Sequence, residues 1–203
     1  MMNAQLRAAA GRDDVQAVAE LLQAGADPYA ADEAGRTTFN HAASNGLRAL
    51  DLMTRAAFAD TQKPPGERRW GDYDLNTPSG AYGSTLITYA AKVCPAAVVA
   101  EMIAAGADIS IVNGSGWSLL HCAAVMPGRD DVLSLLLKAF HGQKRDDLIH
   151  ARTTHVYETV YDGHKVVFGT GLTAAELCRA RIAQDPSCPA ELATYPEILG
   201  AAH

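Results

Sequence analysis

"GADPYAADEAGRTTFNHAASNG", residues 25–46, decides how the whole chain is read. "GAD" recurs at 106–108, and "GRTTFNHAA" (35–43) has a counterpart in "GWSLLHCAA" (116–124). Asp27 to Asp108 and Gly35 to Gly116 are the same distance, 81 residues (108 − 27 and 116 − 35). A phrase that returns in phase points to a repeated structural unit.

Each "GAD" follows an amphipathic run, "VQAVAELLQA" at 15–24 and "AVVAEMIAA" at 97–105. Val15, Val18, Leu21 and Leu22 fall on one helical face. A glycine after such a run is the usual helix stop, because glycine enters the left-handed conformation at little cost. A short extended stretch leads to a second glycine. The Thr or Ser that follows can cap another helix. That second helix carries paired alanines, Ala42-Ala43, Ala90-Ala91 and Ala123-Ala124. Small residues there let helices approach closely. The predicted unit is therefore turn, short helix, loop and longer helix.

This unit resembles the ankyrin repeat, whose signature is Gly-x-Thr-Pro-Leu-His-x-Ala-Ala followed by a helix ending in Gly-Ala-Asp. The matching stretches are "GRTTFNHAA" (35–43), "GSTLITYAA" (83–91), "GWSLLHCAA" (116–124) and the weaker "GLTAAELCR" (171–179). Gly83 to Gly116 is one 33-residue period (116 − 83). The expected fold is an all-α helix-turn-helix solenoid with an inserted loop and an inserted β-hairpin. The chain reads as one domain with repeats near 3–31, 32–64, 80–112, 113–141 and 168–203. Insertions occupy 61–80 and 142–170. Thr38, Leu86, Leu119 and Ala174 stand where the family has proline, and only His121 keeps the family histidine. Asn40 and Thr88, in the same place, are expected to do its work less well.

Two stretches break the repeat. The first, "TQKPPGERRWGDYDLNTPSGAYG" (61–83), is rich in turn residues and reads as loop. It brings Arg68, Arg69, Trp70, Tyr73 and Tyr82 close together in sequence, and Arg, Trp and Tyr are enriched at binding hot spots. Trp70 either meets a partner or folds back as a lid. The second, "HARTTHVYETVYDGHKVVFGT" (150–170), is dominated by β-branched and aromatic residues around an Asp-Gly pair at 162–163, a hairpin signal. Pairing across that turn sets Tyr161 opposite His164, Thr159 opposite Val166 and Tyr157 opposite Phe168. An isolated two-stranded hairpin is marginal in water. Its aromatic face must pack on the last repeats or meet a partner.

The resemblance implies binding through finger tips and through the concave face of the short helices. It places Arg36 and Trp117 at tips, and Asn45, Lys92, Val93, Val125 and Met126 on the concave face. Trp117 either bridges to the next finger or anchors a partner. With the insertions, the candidate partner-binding residues are Arg36, Asn45, Arg68, Arg69, Trp70, Tyr73, Tyr82, Trp117, Met126, Tyr157, Tyr161 and His164.

Composition narrows the function. The chain has 203 residues, 48% hydrophobic, with a net charge of −6. This acidic balance argues against nucleic acid and anionic membrane, and it suits a protein partner with a basic surface. No apolar run is long enough to span a membrane, and no secretion signal is evident, so a cytoplasmic location is expected. The four cysteines have no zinc spacing and read as reduced thiols. No nucleophile elbow, phosphate loop or HExxH occurs. Four histidines, His141, His150, His155 and His164, surround the second insertion but match no ligand pattern. No cofactor and no metal is expected, and the chain alone is expected to be monomeric. Abundant alanine hints at a bacterial gene.

The leading expectation is a non-catalytic module that binds and inhibits or protects one protein, such as a toxin or enzyme. A secreted effector or scaffold with a host partner, and a metal enzyme built on the histidine-bearing hairpin, are the alternatives.

Overall fold

Five helix pairs follow one another along the chain. The computed structural model describes residues 1–161 and 164–200, without the side chains of Ser44, Val160 and Tyr161. The first pair is α1 (Met2–Gly11) and α2 (Val15–Gln23); the second is α3 (Thr38–Asn45) and α4 (Leu47–Thr61). Then come α5 (Leu86–Val93) with α6 (Ala96–Ala104), and α7 (Leu119–Ala124) with α8 (Asp130–Gly142). Last are α9 (Ala174–Gln184) and α10 (Tyr195–Gly200), joined through a 3₁₀ turn at Ala190–Thr194. The hairpin β1 (Tyr157–Tyr161) and β2 (His164–Phe168) precedes α9. Its antiparallel register pairs Tyr157 with Phe168, Thr159 with Val166 and Tyr161 with His164, as the sequence predicts. The expected turn residues, 162–163, lie outside the described residues.

The repeated phrase has a repeated geometry. The backbone N–H of Asp27 donates to Asn3 (2.9 Å), and that of Asp108 donates to Asn76 (2.8 Å). In the finger at 32–36 the Asp32 carboxylate accepts from the Ala34 and Arg36 N–H groups. In the finger at 113–117 the Asn113 amide oxygen accepts from Ser115 and Trp117. The first helix of each of the last four pairs opens with a capping box: Thr37 with Asn40, Thr85 with Thr88, Ser118 with His121 and Thr173 with Glu176. The histidine position thus keeps its local job with four different side chains, because any side chain able to accept from the N-cap N–H will do.

Stacking is carried by alanine. Ala42, Ala90, Ala91, Ala123 and Ala124 are completely buried, and the larger Phe39, Leu50, Met53, Ile87, Met102 and Leu120 fill the space between layers. Polar bonds tie neighbouring units. Lys92 donates to the Ala43 carbonyl (3.1 Å), Arg129 to the Cys94 carbonyl (2.7 Å), and the Arg129 N–H to the Tyr195 hydroxyl (2.5 Å). His121 bonds in both directions: its Nδ1 accepts from Ser118 and its Nε2 donates to the Leu172 carbonyl at 3.0 Å.

This histidine is neutral by construction, since protonating Nδ1 would remove its acceptor. Burial pushes its pKa below the ordinary 6.5. Below about pH 6.5 the unfolded chain therefore binds more protons at this site than the folded one. His121 accordingly costs stability as the pH falls, by at most about 1.4 kcal/mol per pH unit. His121→Asn copies the box of the second unit. Its melting temperature is expected to fall less than the wild type's between pH 7 and pH 5. Parallel curves would contradict the assignment.

Candidate partner-binding surface

The fingers are joined edge to edge. The Gly114 N–H donates to the Tyr82 carbonyl (2.9 Å), and the Thr154 N–H to the Ser115 carbonyl (3.1 Å). Gly116 has φ +77°, and a Cβ there would stand 2.5 Å from the Thr154 nitrogen, so only glycine lets the segment before the hairpin close on the finger. The hairpin then lies over the inner face of the stack, with β2 against α9 and β1 reaching α3. Val166 and Phe168 are completely buried. The Gln184 amide seals the outer edge of β2, bonding both N–H and C=O of Val167 at 2.9 Å.

A cavity remains between the fingers, the short helices and β1. Arg36, Tyr82 and Glu158 are exposed at its rim, Tyr89 and Thr88 form part of its wall, and Trp117 and Tyr157 close one side. Asn40 donates across it to the Tyr89 hydroxyl (3.0 Å), whose pKa burial pushes up to about 12.

The predicted binding residues divide among several places. Arg36, Tyr82, Trp117 and Tyr157 do meet, around this one cavity. Trp117, however, is no exposed anchor. It is 4% exposed and packs edge-to-face on Tyr157 (4.9 Å) and Phe168 (5.7 Å). The hairpin supplies the cover that a bare finger tip would lack. Met126 is buried as well, at the foot of a second groove with Leu47, Lys92 and Val93. Asn45 and His164 are exposed, and the Tyr161 side chain lies outside the described residues. His141 and His164 face different carboxylates, Asp146 at 2.5 Å and Asp185 at 3.8 Å, and His155 meets Thr154.

The first insertion also turns inward. Trp70 is buried and donates from its indole to the Ala26 carbonyl (2.9 Å); Arg69, itself exposed, donates to the Leu22 carbonyl (3.1 Å). These carbonyls lie at and just beyond the end of α2, and that of Leu22 also accepts from the Gly25 N–H (3.1 Å). The Asp60 carboxylate pins the Arg69 N–H (2.8 Å), Arg68 donates to the Tyr73 carbonyl, and Tyr73 stacks on Tyr29 at 4.0 Å. Trp70 is thus a lid on the first two units, and Arg68 and Tyr73 are half-buried parts of it. The sequence reading missed Asn40, Thr88 and Tyr89. The capping position three residues into each short helix was the signal, since its side chain also faces the fingers.

The class follows from this architecture: paired helices stacked side by side, projecting linked fingers over a groove, a scaffold that presents a surface. Models of ankyrin repeats match residues 6–52, described as "Ankyrin repeats (many copies)", and 115–146, described as "Ankyrin repeat". These two stretches of the chain are ankyrin repeats, and such repeats form protein–protein interaction modules. Among the described residues no helix is long and apolar enough to cross a membrane.

Proposed function

We propose that this protein is a non-catalytic module that grips one specific protein partner, a toxin or an enzyme, and inhibits or protects it sterically. The observation that carries this reading is the rigid run of linked fingers. Backbone bonds at 2.9 and 3.1 Å fix neighbouring tips, while Arg36, paired with Asp32 at 3.3 Å, and the 43%-exposed Tyr82 stand at the mouth of the cavity. A preorganised surface loses little entropy on binding, which favours a tight steric block. The excess of acidic residues suits a partner with a basic surface. A cytoplasmic location and a monomeric free state belong to the same reading.

The test uses the partner recovered from the native host. Tyr82→Ala and Arg36→Ala should each weaken binding about tenfold, the range of an interface hot spot. The melting temperature should stay unchanged. Full affinity in both variants would place the interface elsewhere; turnover of a substrate by the pure chain would overturn the non-catalytic reading.

A further inference from the structure

A second groove runs beside the loops that join short to long helices. Leu47, Val93, Met126 and Pro127 give it an apolar floor. Its charged lining is Arg48, Asp51, Lys92 and Arg129. Two of these charges are already matched: Arg48 pairs with Asp13 at 2.8 Å, and Asp51 with Arg55 on the next turn. Lys92 and Arg129 are not. Both are half-buried, and among the described residues their side-chain hydrogen bonds go to backbone carbonyls: Ala43 for Lys92, and Gly128 and Cys94 for Arg129. Among the described residues neither has a carboxylate within 4.0 Å. Burial also pulls the Arg129 pKa down from its ordinary value, outweighing the opposing pull of Tyr195, Cys94 and Asp51.

On a chain with net charge −6, a groove with two unmatched, partly desolvated cations over an apolar floor is complementary to one chemistry. We propose that it receives an acidic segment of the partner protein, with carboxylates meeting Lys92 and Arg129 and an apolar side chain settling on Val93 and Met126. This rests on the binding-module reading and deepens it: the outer surface attracts a basic partner, while the groove selects an acidic strip within it. Desolvated charge pairs of this kind set specificity and slow dissociation.

The probe is a twelve-residue peptide alternating Glu and Leu, titrated into the intact protein while the methyl signals of Leu47, Val93 and Met126 are followed by NMR. Saturable shifts at these methyls are expected, weakening as salt rises. Lys92→Gln should weaken binding about fivefold, as loss of one partly exposed charge pair does. Arg129→Gln should act in the same direction. Because Arg129 also holds Cys94 and Lys92 holds Ala43, the salt series and the charge-reversed peptide stand as the readouts independent of folding. Equal binding of the Lys-for-Glu peptide, tighter binding of a single-stranded oligonucleotide, or shifts confined to other methyls would each overturn the proposal. A cross-linker at Val93 separates the two readings in the natural complex. Capture of a basic strip of the partner would sink this inference and leave the binding module intact. If the acidic peptide binds and no partner is ever captured, the module reading falls instead.

Discussion

Trp117→Ala should cost about 3–5 kcal/mol of stability, the range for truncating a buried tryptophan. A domain of this size has roughly 5–15 kcal/mol in hand, so the variant is expected to sit close to its unfolding threshold at 37 °C. The argument is one of cover. Trp117 lies at 4% exposure under Tyr157 and Phe168, and its ring also faces His121 at 6.4 Å. Removing it empties the joint between the fourth helix pair, the hairpin and α9. Its indole N–H is buried with no acceptor among the described residues. Trp117→Phe keeps one aromatic ring and loses no bond, so its cost is expected to fall clearly below that of Trp117→Ala. Urea unfolding of both variants provides the check. A Trp117→Ala midpoint equal to wild type would show that the indole is not a core element.

Gly46→Ala should be comparably damaging for a different reason. Gly46 joins α3 to α4 with φ −102°, a conformation open to any residue. The obstacle is space: a Cβ would stand 1.8 Å from the Ala10 carbonyl oxygen and 3.2 Å from the Ala42 Cα, both backbone. Neither can swing aside as a side chain would, so α1 must move away from α3. The cost is expected at about 3 kcal/mol, the upper end of overpacking. Gly142→Ala is the control, with nothing within 4 Å of its Cβ. A Gly46→Ala protein as stable as this control would contradict the close approach of the first two units.

These two residues mark where the sequence was legible and where it was not. The paired alanines, the glycine stops and the Thr or Ser caps are local signals for paired helices, and the Asp-Gly pair is a local signal for the strand register. The unit-to-unit spacing made the family readable before any coordinates. Nothing local to Gly46 announces that Ala10 will lie against it. Trp117 and Trp70 were read from their own segments, as an anchor or a bridge and as a hot spot or a lid. Their burial depends on where two insertions travel, which is set by contacts such as Trp70 with Ala26, 44 residues away. Composition could rank these aromatics as important but could not say whether they served a partner or the core. The rim of the cavity was half legible: Arg36 and Tyr82 stand out from tip and loop positions, whereas Thr88 is readable only as a stand-in for the family histidine and nothing local marks Tyr89 as part of the wall.

Position-resolved photo-cross-linking in the native host tests the central claim most directly. A photoreactive residue at Tyr82, on the finger side, is compared with one at Glu101, exposed on α6 among the longer helices. The account predicts that one and the same protein is captured in high yield from position 82 and not from position 101. Capture from position 101 alone, or equal capture from both, would contradict a gripping surface built from fingers and short helices.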